Sequence, residues 1–283
     1  MYGLFLLIVL ICPQTTLATI SSSFYSFIQT NFGQQVADQM ARNDFGQRGS
    51  YGGGSHQGGT KTRNIPVIFV HGFLTTAGTT QPMATYFKQN YAYGDDELYA
   101  TTFGRPAGSI PVQTALTCEY VKAIRNLIQT VSQYTSSQVN VIAYSMGGPI
   151  SRKAIKGGRC VDTGEELGPS LTSLVNAYLG VAGAMKGAQS CTLPFGICNT
   201  LNGMSCGSQF LNDINSQTRY EGQRIYVLES SSDEVVGFNG CGGRPSEIVG
   251  ADNTVILNGL KHIQVCSTLT ANTQFNLITR GTQ

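Results

Sequence analysis

The sequence predicts an α/β fold, with a mostly parallel central sheet, helices on both faces and one further helix at the N-terminus. Two observations predict it. Short, continuous apolar runs recur along the chain, as strands buried on both faces require. Segments with helical spacing separate them, and that alternation is the pattern of a parallel sheet with crossover helices.

The elements follow in order. Residues 1–18, MYGLFLLIVLICPQTTLA, carry a short apolar core from Leu4 to Cys12 and small residues up to Ala18. This reads as a secretory signal peptide cut after Ala18. Residues 19–45 place Phe24, Phe27, Ile28, Phe32, Val36 and Met40 near helical spacing. They predict a helix packed on the domain, since its polar face is rich in Gln rather than in the Lys and Arg of a membrane-surface helix. Residues 46–61 are Gly-rich and read as a flexible linker, with His56 in solvent. A catalytic domain is expected over 62–283. Its strands are predicted at 67–70, 98–102, 139–143, 177–181, 224–228 and 254–257. Its helices are predicted at 81–90, 114–131, 149–156 and 266–279.

Composition narrows the function. The net charge of +2, with no run of Lys or Arg, argues against a nucleic-acid or anionic-membrane partner. The first apolar run is too short to span a bilayer, so no stable membrane insertion is expected. Removal of Cys12 with the leader leaves seven cysteines, an odd number, in a chain expected to be exported and disulfide-bonded. Their spacing fits no zinc site, and neither metal nor cofactor is expected.

Three patches carry chemistry. In Val139-Asn140-Val141-Ile142-Ala143-Tyr144-Ser145-Met146-Gly147-Gly148, a buried strand runs into a small-residue turn and then a helix. That is the setting of the nucleophile elbow of an α/β-hydrolase, with Ser145 as nucleophile. The usual pattern is G-x-S-x-G, and here Ala143 replaces the first Gly. Val70-His71-Gly72-Phe73 follows the first core strand. Its Phe73 N–H, with the N–H of Met146 after the nucleophile, forms the expected oxyanion hole. His71 belongs to that turn and is read as structural. His262 is the only histidine after Ser145, and the chain order Ser, acid, His makes it the base. The acid must lie between them. Asp233, in the loop after the 224–228 strand, is preferred over Glu229, Glu234 and Asp252. From position alone, a Cys241–Cys266 bridge would tie the acid and histidine loops together.

These patches together resemble the class 2 lipase family, which includes small secreted bacterial lipases. The likeness runs over residues 62–280, and A-x-S-M-G-G is itself a family-like trait. The resemblance implies an α/β-hydrolase core and hydrolysis of triacylglycerols or other carboxylic esters. It implies a triad of Ser145, Asp233 and His262, with Phe73 and Met146 as oxyanion donors. The implied partner is a lipid or ester substrate, at an oil–water interface, acted on by a monomer. Two features depart from the bacterial members. Tyr144 stands where they have His. The 88 positions from Ser145 to Asp233 are longer and hold four cysteines. Cys191, Cys198 and Cys206 are expected to staple a loop there, which leaves open whether 184–212 form a lid. A catalytically inactive lipid-binding relative, and a thioesterase or acyltransferase with the same triad, are the alternatives.

Overall fold

The computed structural model describes residues 19–104, 115–193 and 196–282. The leader expected at 1–18 lies outside them. No helix among the described residues is long and apolar enough to cross a membrane.

The chain opens with helices α1 (Ser22–Phe32) and α2 (Gln34–Ala41). Ser21 caps α1 by accepting the Phe24 N–H. The apolar spacing that predicts one long helix continues across both, but Gly33 at φ 91° breaks it. Phe24, Ile28 and Met40 are buried in the core, so this N-terminal unit packs on the sheet domain.

Strand β1 (Ser50–Tyr51) follows, then β2 (Val67–Val70), α3 (Gln81–Tyr91) and β3 (Leu98–Thr101). Helix α4 (Cys118–Tyr134) is capped by Thr117 and leads to β4 (Val139–Tyr144). The start predicted for α4 at 114 lies outside the described residues. Next come α5 (Gly147–Lys156), β5 (Val175–Val181), α6 (Gln209–Asn215), β6 (Arg224–Ser230) and β7 (Asn253–Leu257). Helices α7 (His262–Val265) and α8 (Ala271–Arg280) close the chain. A 3-10 turn at Thr268–Thr270, capped by Ser267, divides the closing helix expected at 266–279.

The sheet order is β1-β3-β2-β4-β5-β6-β7. All pairs are parallel except the β1–β3 edge. Alternating side chains fill two cores. Ile68, Val70, Val141 and Ala143 pack with α1, α2, α4, α5 and α6 on one face. Val67, Phe69, Ile142 and Leu179 pack with α3 and α8 on the other. That two-sided burial is why the strands read as unbroken apolar runs.

The Gly-rich stretch is not the flexible linker its composition suggests. Ser50 and Tyr51 pair with Thr101 and Ala100. The next residues thread between α1 and β3. A Cβ on Gly52 would come within 2.4 Å of the Tyr99 ring, and one on Gly53 within 2.5 Å of Phe24 Cβ. Glycine is needed there for close approach, not for looseness. His56 is likewise not solvated. Its ring sits edge-on to Tyr134, with 5.1 Å between centroids, and Nε2 lies 2.9 Å from the Thr60 carbonyl.

Among the described residues three disulfides form: Cys118–Cys160, Cys191–Cys198 and Cys206–Cys241. The bridge expected between Cys241 and Cys266 is therefore absent. Cys241 packs beside Gly187 and Cys206, whereas Cys266 follows α7 and remains a thiol.

Gly52→Ala should lower unfolding free energy by about 1–3 kcal/mol, the usual cost of forcing atoms into a packed site. Urea denaturation measures this, and a flexible linker would tolerate the change.

Candidate active site

Strand β4 lies at the middle of the sheet, and its C-terminal end carries Ser145. The residue has φ 51°, a left-handed conformation rare for a side chain with a Cβ. The turn lets α5 begin at once, at Gly147. Only small neighbours permit it. A Cβ on Gly147 would lie 2.5 Å from the His71 carbonyl oxygen, and one on Gly72 would lie 3.2 Å from Ser145 Cβ. Ala143, in place of the usual glycine, is fully buried and pairs with Gly180 on β5.

His262 Nε2 lies 3.0 Å from Ser145 Oγ. His262 Nδ1 lies 2.7 Å from Asp233 Oδ2. The second Asp233 oxygen accepts the Val235 and Val236 N–H groups, each at 2.9 Å. Burial alone would raise the Asp233 carboxyl. The His262 hydrogen bond and charge and the two backbone donors outweigh that and hold it below the usual aspartate range. The structure thus brings together the serine, histidine and acid singled out in the sequence, although 117 positions separate Ser145 from His262. Such a chain can take a proton from the hydroxyl as it attacks an electrophilic carbon.

Phe73 and Met146 flank the serine from two loops. Met146 is the residue before α5, where N–H groups have no intrahelical acceptor. Among the described residues, neither the Phe73 nor the Met146 N–H has a protein acceptor.

His71 is 2% exposed and stacks on Phe103 with 4.0 Å between ring centroids. Its Nε2 accepts the Phe103 N–H at 3.1 Å, and Nδ1 faces the Gly72 carbonyl at 2.9 Å. Those partners fix the Nδ1–H tautomer. Burial drives its pKa down to about 4, so the ring is neutral at pH 7 and braces the turn that carries Phe73.

A cavity of about 680 Å³ opens beside Ser145 and His262. Phe73, Pro82, Met83, Tyr144, Val235 and Ile263 supply its apolar wall.

The sequence profile of class 2 lipases matches residues 64–276. The chain belongs to the class 2 lipase family. The family is one of lipolytic hydrolases. Lipase B of Aspergillus fumigatus shares the fold with a TM-score of 0.52 at 17% identity, over 77% of this chain and 49% of that one. The chain thus spans about half of that lipase's length. The mature lipase BlEst2 of Bacillus licheniformis gives a TM-score of 0.54 at 16% identity, over 81% of this chain and 98% of that one. No curated protein sequence matches the chain.

The rival acids have other partners. Glu229 is bound by Arg244 at 2.7 Å. Asp252 accepts the Ile225 N–H and pairs with Arg219. Glu234 accepts the backbone N–H of His262. Among the described residues, Cys118, Cys160 and Asp162 form a metal-type ligand group, but both sulfurs are spent in a disulfide.

Two contributors have roles that the motifs do not assign. Tyr144 lines the cavity, and its hydroxyl donates to Gln274 Oε1 at 2.7 Å. Gln274 Nε2 in turn donates to Thr270. Tyr144 therefore fastens the residue before the serine to α8. Its departure from the bacterial His is visible in sequence, but its distant partner is not. Cys266 also lines the cavity, and burial holds its thiol well above the usual range, in the un-ionised form. No described residue of 184–212 lines the cavity. That segment, with its Cys191–Cys198 staple, leads into α6, where Asn215 and Asp213 bind Arg152 and Lys153 of α5.

His71 should make stability pH-dependent. Its folded pKa of about 4 lies below the ordinary histidine value of 6.5. The unfolded chain therefore binds the extra proton first as pH falls. Stability present above about pH 6.5 should be lost toward pH 4, by about 3 kcal/mol. Denaturation of wild type and His71→Gln across that range measures it, and the variant should lack this component.

Proposed function

We propose that the protein hydrolyses carboxylic esters of lipids through a Ser145–His262–Asp233 triad. The observation that carries this reading is the unbroken chain of two hydrogen bonds, at 3.0 Å and 2.7 Å, beside an apolar cavity.

The mechanism follows from the parts. An ester enters with its carbonyl carbon beside Ser145 Oγ. Ser145 attacks while His262 Nε2 accepts its proton, and Asp233 holds the ring in the productive tautomer and balances its charge. The Phe73 and Met146 N–H groups bind the oxyanion. His262 returns the proton to the departing alcohol, leaving Ser145 acylated. Water, deprotonated by the same His262, then releases the carboxylic acid.

The lipid character of the substrate is supported by the cavity and its surroundings. Ile263 lines the cavity yet is 78% exposed. Val235, a second wall residue, is also exposed. Leu74 and Leu269 are exposed beside the lining residues Phe73 and Thr268. An apolar rim around an apolar cavity suits a lipid–water interface. Three disulfides support export from the cell, with 1–18 as the leader. A monomer acting alone is consistent with a site built from one chain.

The test is hydrolysis of p-nitrophenyl butyrate, p-nitrophenyl octanoate and emulsified triolein by wild type and Ser145→Ala. Wild type should cleave, and Ser145→Ala should lose at least about a thousandfold in kcat. A folded wild type that cleaves none of these esters would overturn the reading.

A further inference from the structure

Strands β6 and β7 run parallel and end side by side, with Ser230 opposite Leu257. The loops that leave them carry Asp233 and His262. From the last residue of β6 the chain reads Ser230-Ser231-Ser232-Asp233-Glu234, and every one of the five side chains meets the stretch from Asn258 to His262, the first residue of α7. Ser230 Oγ donates to the Leu260 carbonyl at 2.6 Å. Ser231 Oγ donates to Asn258 Oδ1 at 2.7 Å. Ser232 Oγ accepts the Gly259 N–H at 3.1 Å. Asp233 holds the His262 ring, and Glu234 Oε2 accepts the His262 backbone N–H at 3.1 Å.

From this register we infer that the Ser-Ser-Ser-Asp-Glu run is a zipper that positions His262, with Glu234 as the residue that fixes its backbone. The inference rests on the triad reading above and adds to it a positioning residue for that reaction. Asp233 by itself sets the direction of the imidazole about one hydrogen bond. The ring can still be displaced if the backbone beneath it shifts, and α7 is only one turn long. Glu234 removes that freedom, because its carboxylate grips the N–H of the same residue whose ring Asp233 grips. Two adjacent acids thus hold one histidine at both ends.

Charge strengthens the second grip, since a carboxylate accepts more strongly than a neutral oxygen. In keeping with this, the Glu234 carboxyl is held below the usual glutamate range, first by the His262 N–H. The three serines keep the loops in register. They do so without a covalent bond, where no disulfide joins the two loops and Cys266 stays a thiol. Short hydroxyls suit the task, because they reach the neighbouring loop with few rotamers to fix. Glu234 itself does not line the cavity, and its hydrogen bond goes to the His262 backbone, so its effect on rate passes through His262.

The experiment compares wild type, Glu234→Ala, Glu234→Gln and Ser230→Ala in the full-length secreted protein. Two readouts are taken: kcat and KM on p-nitrophenyl butyrate, and amide hydrogen exchange at His262. Glu234→Ala should lose about 10–100-fold in kcat, the scale of a small misplacement at a reacting centre. Its KM should stay within about twofold, since the cavity is intact. Its His262 amide should exchange at least about tenfold faster, with the core strands still protected. Glu234→Gln keeps an acceptor oxygen and should restore most of kcat and most of the protection. Ser230→Ala should reduce kcat in the same way, and it decides the matter if Glu234→Ala does not fold.

Unchanged kcat and unchanged His262 protection in Glu234→Ala would overturn the inference. So would a Glu234→Gln variant as impaired as Glu234→Ala, because the acceptor would then not be what matters. A wild type inactive on all esters would sink the hydrolase reading, while the exchange measurement would still decide whether Glu234 holds the His262 backbone.

Discussion

The left-handed turn at Ser145 is the constraint on which the rest of the site depends. The middle strand of the sheet must end, lift one hydroxyl clear of the backbone and start a helix within two residues. That is possible only if nothing larger than hydrogen stands at Gly147, which abuts the carbonyls of Val70 and His71. The requirement reaches the neighbouring strand. The loop after β2 must pass close by, and Gly72 admits it. The proximity that forces glycine at both points also sets Phe73 beside the serine. One steric constraint thus selects the posture of Ser145 and the place of the Phe73 N–H.

The far half of the site has a different basis. His262 and Asp233 come from loops after the last two strands, and no strain holds them. They are held by polar contacts between parallel strand ends, under a buried carboxylate with both oxygens occupied. Behind the sheet, α5 is anchored by the buried Arg152–Glu221 ion pair and by Arg152 contacts to Asn215 and Ile214. Removal of one member of such a pair leaves an uncompensated buried charge, at a cost of about 3–5 kcal/mol. Helix α5, which starts two residues after Ser145, is therefore fixed by its own contacts, apart from the loops that bring His262. The geometry joins a rigid serine to a histidine whose register is set locally.

Much of this was legible in the sequence, for identifiable reasons. Strands buried on both faces leave continuous apolar runs, so β2, β4, β5 and β6 were evident. The serine turn was legible because its steric demand fixes residue types at adjacent positions. The order of serine, acid and histidine left His262 without a rival. What escaped depended on contacts between distant residues. Gly33 breaks a helix whose apolar spacing runs on undisturbed. Gly52 and Gly53 look like a linker until Tyr99 and Phe24 are seen against them. Strand β1 has two residues, too few to show a period. Cysteine pairing is set by loop paths, so Cys241 joined Cys206 and Cys266 was left alone. The serines before Asp233 belong to no motif, and their partners lie at another strand's end.

The central claim is that Ser145, activated by His262, is the nucleophile. Covalent labelling with a p-nitrophenyl alkylphosphonate, mapped by mass spectrometry, tests it most directly. The phosphorus mimics the tetrahedral carbon and traps whichever group attacks. The account predicts one adduct per chain, on Ser145, formed much more slowly in His262→Ala. An adduct on the Cys266 thiol in the same cavity, or no adduct on a folded protein, would contradict it.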